Sequence, residues 1–320
     1  MLLRLLLALV CALSVPVSAM AAMPNVLTTI KPVQLIAAAV LEGVAEPDVL
    51  LPPGASPHNY ALRPSDRRRI ANADRLYWVG PDLERFLQQL LDSQPSARRL
   101  DEVPELTLRN FDDEHQHADE HDEHDEHDEH DEHDEHDGHD GHDAHGPGSR
   151  DPHIWLSVRN AQHIAQWMAA DLTALYPEHG DRLQRNAANF VQRLDQLHER
   201  QRQRLQPLAD KPYFVFHDAY GYLQDSLGIY PRGVFTLSEE IQPGARHVNT
   251  LRQQLTAAGP SCVFREPQFP ARRVETVTAG LPVRSAEMDP LGMDITPDAK
   301  GYEQLLETLG DTLASCLEAL

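Results

Sequence analysis

Three histidines occupy positions where a metal could be held. In "LLPPGASPHNY", His58 follows an apolar run and a tight Pro-Gly turn. In "DPHIWLS", His153 sits on a short segment leading into an amphipathic stretch, and in "YFVFHDAYGY", His217 ends the most apolar run of the chain. Ligands of open α/β sheets collect beyond the carboxyl ends of strands. Three imidazoles converging there form one site, and three nitrogens plus one oxygen complete a zinc tetrahedron at about 2.0–2.1 Å per nitrogen. Spacing alone leaves a second reading open, since a strand-end histidine also serves as a hydrogen-bonded structural residue.

A denser cluster lies between the first two of these. His115, His117, His121, His124, His127, His130, His133, His136, His139, His142 and His145 are interleaved with Asp and Glu, as in "HDEHDEHDEHDEHDEHDGHDGHDAHG". Eighteen carboxylates fall between Asp112 and Asp143 with no Lys or Arg. Of the formal net charge of −22, the rest of the chain therefore carries only −4. The acidity is local, and nucleic acid is excluded as a partner. A segment of high like charge with no apolar face cannot build a core, so residues 112–148 are expected to form a disordered loop. Imidazole suits Zn, Cu and Ni, and the carboxylates draw in any divalent cation. Each site there should be weak, because a flexible chain must be ordered to bind. A solubilising linker is the competing reading.

The elements that must position these groups alternate in type. "NVLTTI", "DVLL" and "RLYWVG" read as strands; "PVQLIAAAVLEG", "SDRRRIANA" (with Ser65 as N-cap) and "LERFLQQLLDS" read as helices. This βαβα order implies a parallel sheet covered by helices. "IWLSVRNAQHIAQWMAADLTALYP" is a further amphipathic helix. From Asp181 to Leu205 apolar residues recur at helical spacing on an otherwise polar background, which predicts a helix of roughly 37 Å acting as a strut. The pattern then restarts with the strands "YFVF", "GVF", "SCVF" and "PVRSAEM" and ends in a helix opening at Thr296 and Pro297. The expected fold class is α/β, with two parallel-sheet lobes joined by one long rigid helix and the metal site in the cleft. The expected division is a leader at 1–22, an N-terminal lobe at 23–180, a linking helix at 181–206 and a C-terminal lobe at 207–320.

"MLLRLLLALVCALSVPVSAMAAMPN" has the basic residue, apolar run and A-x-A site of a secretory signal peptide. Pro16 and Ser18 cut the run short of a membrane span, and Val10 does not suit lipidation of Cys11. Cys262 and Cys316 remain, an even count that suggests a disulfide in an exported chain, with two buried thiols as the alternative.

Six blocks, "GASPHNYALRPSD", "DPHIWLS", "FVFHDAYG", "EIQPGA", "FREPQF" and "MDPLG", together resemble the ZnuA-type zinc receptors of bacterial ABC importers, which belong to the metal-binding cluster of periplasmic solute-binding proteins. The likeness runs from about Val26 to the C-terminus, and the family also carries an acidic, His-rich loop at this place. The resemblance implies that His58, His153 and His217 are the zinc ligands. Manganese receptors of the cluster place a carboxylate at the third position, so His217 favours zinc. Some zinc receptors have Glu before the first histidine; here Pro57 stands there and has no donor. Asp289, as fourth ligand or as an acceptor behind one, or else a water, remains, with a turn role for Asp289 as the plainer reading. Glu266 and Tyr60 are possible neighbours of the site. His163, His179, His198 and His247 are assigned to no metal.

The function implied is a monomeric, non-enzymatic periplasmic receptor that captures Zn2+ and passes it to a membrane permease coupled to a cytoplasmic ATPase. No GxxxxGK[ST] phosphate loop is present in the chain itself. Two alternatives use the same residues differently. One is a zinc hydrolase or hydratase with a three-histidine, water-bearing site; the other is a passive zinc buffer relying on the tract.

Overall fold

The computed structural model describes residues 23–111, 148–236 and 244–320. The expected leader, the eleven histidines of the tract and most of "EIQPGA" lie outside them.

Two four-stranded sheets carry the fold, and every strand pair in them is parallel. The first has the order β2-β1-β3-β4, from β1 (Val26–Thr28), β2 (Asp48–Val49), β3 (Arg75–Trp78) and β4 (Ala97–Arg99). The second has the order β6-β5-β7-β8, from β5 (Tyr213–His217), β6 (Gly233–Thr236), β7 (Ser261–Arg265) and β8 (Val283–Glu287). Strands of parallel sheets are covered on both faces, which is why β3 and β5 read as unbroken apolar runs. Helices α1 (Lys31–Val40), α2 (Pro64–Asn72), α3 (Gln88–Leu91) and α4 (Val158–Leu175) follow in the first half; α6 (Gly221–Leu227), α7 (Ala245–Ala258), α8 (Ala271–Thr278) and α9 (Gly301–Glu318) in the second. Among the described residues no helix is long and apolar enough to cross a membrane.

Between the halves runs α5 (Gly180–Leu205), whose 26 residues span about 39 Å. It is not a free-standing strut. Leu183, Ala187, Phe190, Leu194, Leu197 and Leu205 form a buried stripe that packs on α4, α1 and α9. Asn186 donates to the carbonyls of Val40 and Glu42, near the end of α1. Farther along, Arg193 pairs with Glu303, Arg200 with Glu307, and Arg204 with Asp311 and Glu318, all on α9. One apolar core is thereby continuous from the first sheet to the second. A smaller core, around Phe214, Phe216, Phe235 and Leu251, covers the outer face of the second sheet. Side chains alternate along β5. Phe214 and Phe216 enter that outer core, so Tyr213, Val215 and His217 share the opposite face.

Two local expectations need correction. Ser65 does not cap α2: Pro64 occupies the first helical position after Arg63, and the Asp66 carboxylate reaches back to the Arg63 amide at 2.8 Å. Proline's fixed φ starts the helix two residues earlier. The last helix opens at Gly301, because Thr296 to Asp298 form a separate turn in which Asp298 N donates to the Thr296 carbonyl. β4 carries no sequence signal, since "ARR" has no apolar run; its pairing with β3 supplies what its side chains do not.

A buried acid sits at the carboxyl end of the first sheet. Glu84 is fully buried and accepts from the amides of Val79 at 2.8 Å and Gly80 at 3.2 Å. Burial outweighs those hydrogen bonds and pushes its carboxyl up to about 7. The fold therefore favours the protonated form. This contribution to stability is complete below pH about 4.5 and is lost as the pH rises through about 7. Its full size is on the order of 3 kcal/mol. Glu84→Gln should accordingly melt higher than the parent at pH 8, with the gap closing at pH 5. Parallel melting curves at the two pH values check this.

Candidate metal centre

The three histidines arrive from three different elements. His58 lies in the loop that follows β2 and is only partly buried; its amide donates to the Ser56 hydroxyl at 3.2 Å. His153 precedes a short 3-10 turn (Ile154–Leu156), which leads to α4 with Ser157 as its N-cap. His217 is the last residue of β5. His153 and His217 are 2% and 1% exposed, so both imidazoles are enclosed by protein.

The structure brings all three together. One ring nitrogen from each lies within 4.8 Å of the other two. Ring centroids are 5.7 Å apart for His58 and His153, 5.9 Å for His58 and His217, and 5.3 Å for His153 and His217. Tetrahedral nitrogens at zinc distance stand about 3.4 Å apart, so a bound ion draws these rings inward by at most about 1.4 Å.

Two carboxylates decide which nitrogens face inward. Asp151 Oδ1 lies 2.8 Å from Nδ1 of His153 and also accepts the His153 amide at 3.0 Å. Glu266 Oε1 lies 2.8 Å from Nδ1 of His217. Both acids are buried. A carboxylate at Nδ1 fixes that nitrogen as the proton carrier, leaves Nε2 to the metal and raises its basicity. Glu266 was one of two neighbours suggested by the sequence. Asp151 was missed, although its place two residues before His153 in "DPH" was the available signal.

Asp289 is placed elsewhere in function. Its Oδ1 accepts from Leu291 N at 2.9 Å and its Oδ2 from Met293 N at 2.8 Å, so it ties down the turn of "MDPLGM". It is not among the histidines whose donor atoms converge. Burial raises its carboxyl above the ordinary range, opposed by these backbone hydrogen bonds. That turn nonetheless borders the site. The Trp155 indole donates to the Pro290 carbonyl at 2.9 Å, its ring lies 5.3 Å from the His153 ring, and Gly54 N stands 2.9 Å from the Met293 sulfur. Tyr60 binds Asp66 at 3.1 Å, holding the start of α2. Of the remaining histidines, His247 contacts the Val234 carbonyl at 3.2 Å, and His163 faces Glu105 at 3.8 Å. His179 and His198 belong to no group of converging donors among the described residues. Cys262 and Cys316 are joined as a disulfide between β7 and α9.

Such a centre offers nitrogen donors backed by negative charge, with one of the three imidazoles partly exposed. That suits reversible capture of a borderline-soft divalent ion.

Comparison with known proteins points the same way. The model of the family described as zinc-uptake complex component A, periplasmic, matches residues 26–316. The high-affinity zinc uptake system protein ZnuA of Yersinia pestis is 39% identical over 296 residues, covering 92% of this chain and 91% of its own. Its counterpart in Haemophilus ducreyi is 40% identical over 295 residues, with 92% and 93% covered. Among solved structures, a crystal structure of ZnuA superposes with a TM-score of 0.70 at 20% identity, covering 91% of this chain and 99% of that one. The solute-binding protein FpvC of Pseudomonas aeruginosa, in complex with Mn2+, gives 0.72 at 22% identity, with 93% and 99% covered. These two likenesses speak to the fold.

Proposed function

The chain belongs to the ZnuA family of periplasmic zinc-uptake components, and from that premise we propose that it captures Zn2+ with His58, His153 and His217 and delivers it to an ABC importer. The observation that carries this reading is the convergence of three imidazole nitrogens from three separate elements. The ion is cargo: it arrives from the periplasm and leaves to the permease, which a cytoplasmic ATPase drives. Nitrogen donors favour zinc, whereas manganese prefers oxygen. Pro57 offers no donor and Asp289 is no member of the converging group among the described residues, so in this reading a water completes the tetrahedron. His58, on the partly exposed loop, is the ligand that meets the ion first and releases it last. The receptor reading stands ahead of a zinc hydratase or a passive buffer because the relatives are uptake proteins.

In this reading residues 1–22 are the leader, 23–180 and 207–320 are the two lobes, and 181–206 link them in a monomer. The tract histidines supply several weak auxiliary sites beside the tight one.

Calorimetric zinc titration of the full chain and of a chain lacking residues 113–145 tests the scheme. The expected result is one tight site in both, with additional weak heat only in the full chain. Loss of the tight site on deletion would make the tract the binding element and overturn the receptor reading.

A further inference from the structure

Asp151 has a second face. Its Oδ1 is committed to His153, and its Oδ2 looks toward the guanidinium of Arg109 at 3.7 Å. Asp151 is fully buried, and Arg109 is the only Arg or Lys paired with it among the described residues. The two are also joined through the backbone. Asp151 N donates to the Arg109 carbonyl at 3.0 Å. The Tyr222 hydroxyl accepts from Arg109 N at 3.0 Å and donates to the Asp151 carbonyl at 3.1 Å. The guanidinium lies over the Tyr222 ring, with its carbon 6.0 Å from the centroid. Close by, Gly221 opens α6, and a Cβ built there would overlap Nη1 of Arg109. The site for the guanidinium thus exists because residue 221 has no side chain.

We propose that Arg109 is a positioning residue for the metal centre: it holds the buried Asp151 carboxylate from the side away from His153, and so sets the aim and donor strength of His153 Nε2. A buried carboxylate stays put only when opposite charge and hydrogen bonds hold it. The imidazole takes one oxygen, and Arg109 faces the other as an ion pair at 3.7 Å, with Asp225 at 3.9 Å as its second carboxylate. Arg109 also sits in a two-stranded stem, with Asn110 bridged to Arg150 and Phe111 N bonded to Ser149 O at 2.9 Å. In sequence, residues 112–147 lie between these two segments. The base of the histidine tract and the mount of one metal ligand are therefore a single hydrogen-bonded unit.

This inference rests on the three-histidine reading above. The test is zinc affinity of the full chain, measured against a competing chelator so that only the tight site reports, with the visible spectrum of the Co2+-loaded protein as a second readout. Removal of such an outer partner typically weakens metal binding by about 10–100-fold, and that loss is expected for Arg109→Gln, with altered cobalt bands. Gly221→Ala should shift affinity and bands in the same direction without touching Asp151 or any ligand. Its φ is open to every residue and alanine favours the helix, so any fall in melting temperature reports the displaced Arg109 side chain and not backbone strain. Arg109→Lys should restore most of the affinity. Parent-like affinity and cobalt bands in both Arg109→Gln and Gly221→Ala would overturn the inference. His153→Ala separates the two levels. If it loses tight binding while Arg109→Gln does not, only the positioning role falls; if it binds like the parent, the metal reading falls and takes the positioning role with it.

Discussion

Replacing His217 by Ala should raise the zinc Kd at least a hundredfold, while His247→Ala leaves it near the parent value. Both residues are histidines of the second sheet's half, but their surroundings differ. His217 is 1% exposed, faces the rings of His58 and His153, and has Glu266 at 2.8 Å on its Nδ1. Zinc bound by four ligands in small domains is worth roughly 10–16 kcal/mol, or about 2.5–4 kcal/mol per ligand. Losing one ligand thus costs two to three orders of magnitude. The substitution also leaves Glu266, a buried acid, without the imidazole it faces. His247 lies on α7, touches the Val234 carbonyl at 3.2 Å and is no member of the converging group. Chelator competition with the two variants side by side is sufficient. Equal effects would place the metal elsewhere.

The second large effect concerns stability. Reduction, or the double replacement Cys262→Ser with Cys316→Ser, should destabilise the chain by about 4 kcal/mol in the loop-entropy account, since the bond closes 54 residues of sequence. For a chain of this size that corresponds to a fall in melting temperature of roughly 6 °C. Cys262 is the second residue of β7, in register with Tyr213 of β5 and Arg284 of β8. Cys316 lies in the last turns of α9, which packs on α5 and on α1 of the first half. The bond therefore fastens the second sheet to the helix that closes the molecule. Zinc affinity at room temperature should change little, because the ladder that positions His217 and Glu266 is unaltered. Melting with and without reductant measures the first effect, and a titration under both conditions measures the second. An unchanged melting temperature would overturn the loop-entropy account of this bond.

Much of this was legible in the chain. Parallel strands covered on both faces must be apolar throughout, so "RLYWVG" and "YFVF" announce themselves and sit where expected in β3 and β5. The 3.6-residue spacing from Leu183 to Leu205 marked α5, and the even cysteine count marked the disulfide. The histidines stood out because imidazole in "FVFH" or "DPHIW" follows from no periodicity. Elements that rest on partners were harder to see. β4 is held by β3 rather than by its own residues, and the start of α9 is displaced by a turn whose hydrogen bonds are local to Thr296–Gly301.

Residue type and order by themselves determined the α/β alternation, the long helix, the cysteine pair and which imidazoles were available to a metal. The alternation and the long helix follow from burial and periodicity within one segment, the cysteine pair from its even count, and the three imidazoles were singled out by the family resemblance of the blocks around them. Only the folded chain decided which side chains stand behind the imidazoles: Glu266 is 49 positions from His217, Arg109 is 42 from Asp151, and Asp289 turned to its own backbone. Such pairings arise where strand ends from different parts of the chain meet, and a carboxylate's partner is chosen there by distance in space, which spacing along the chain does not encode.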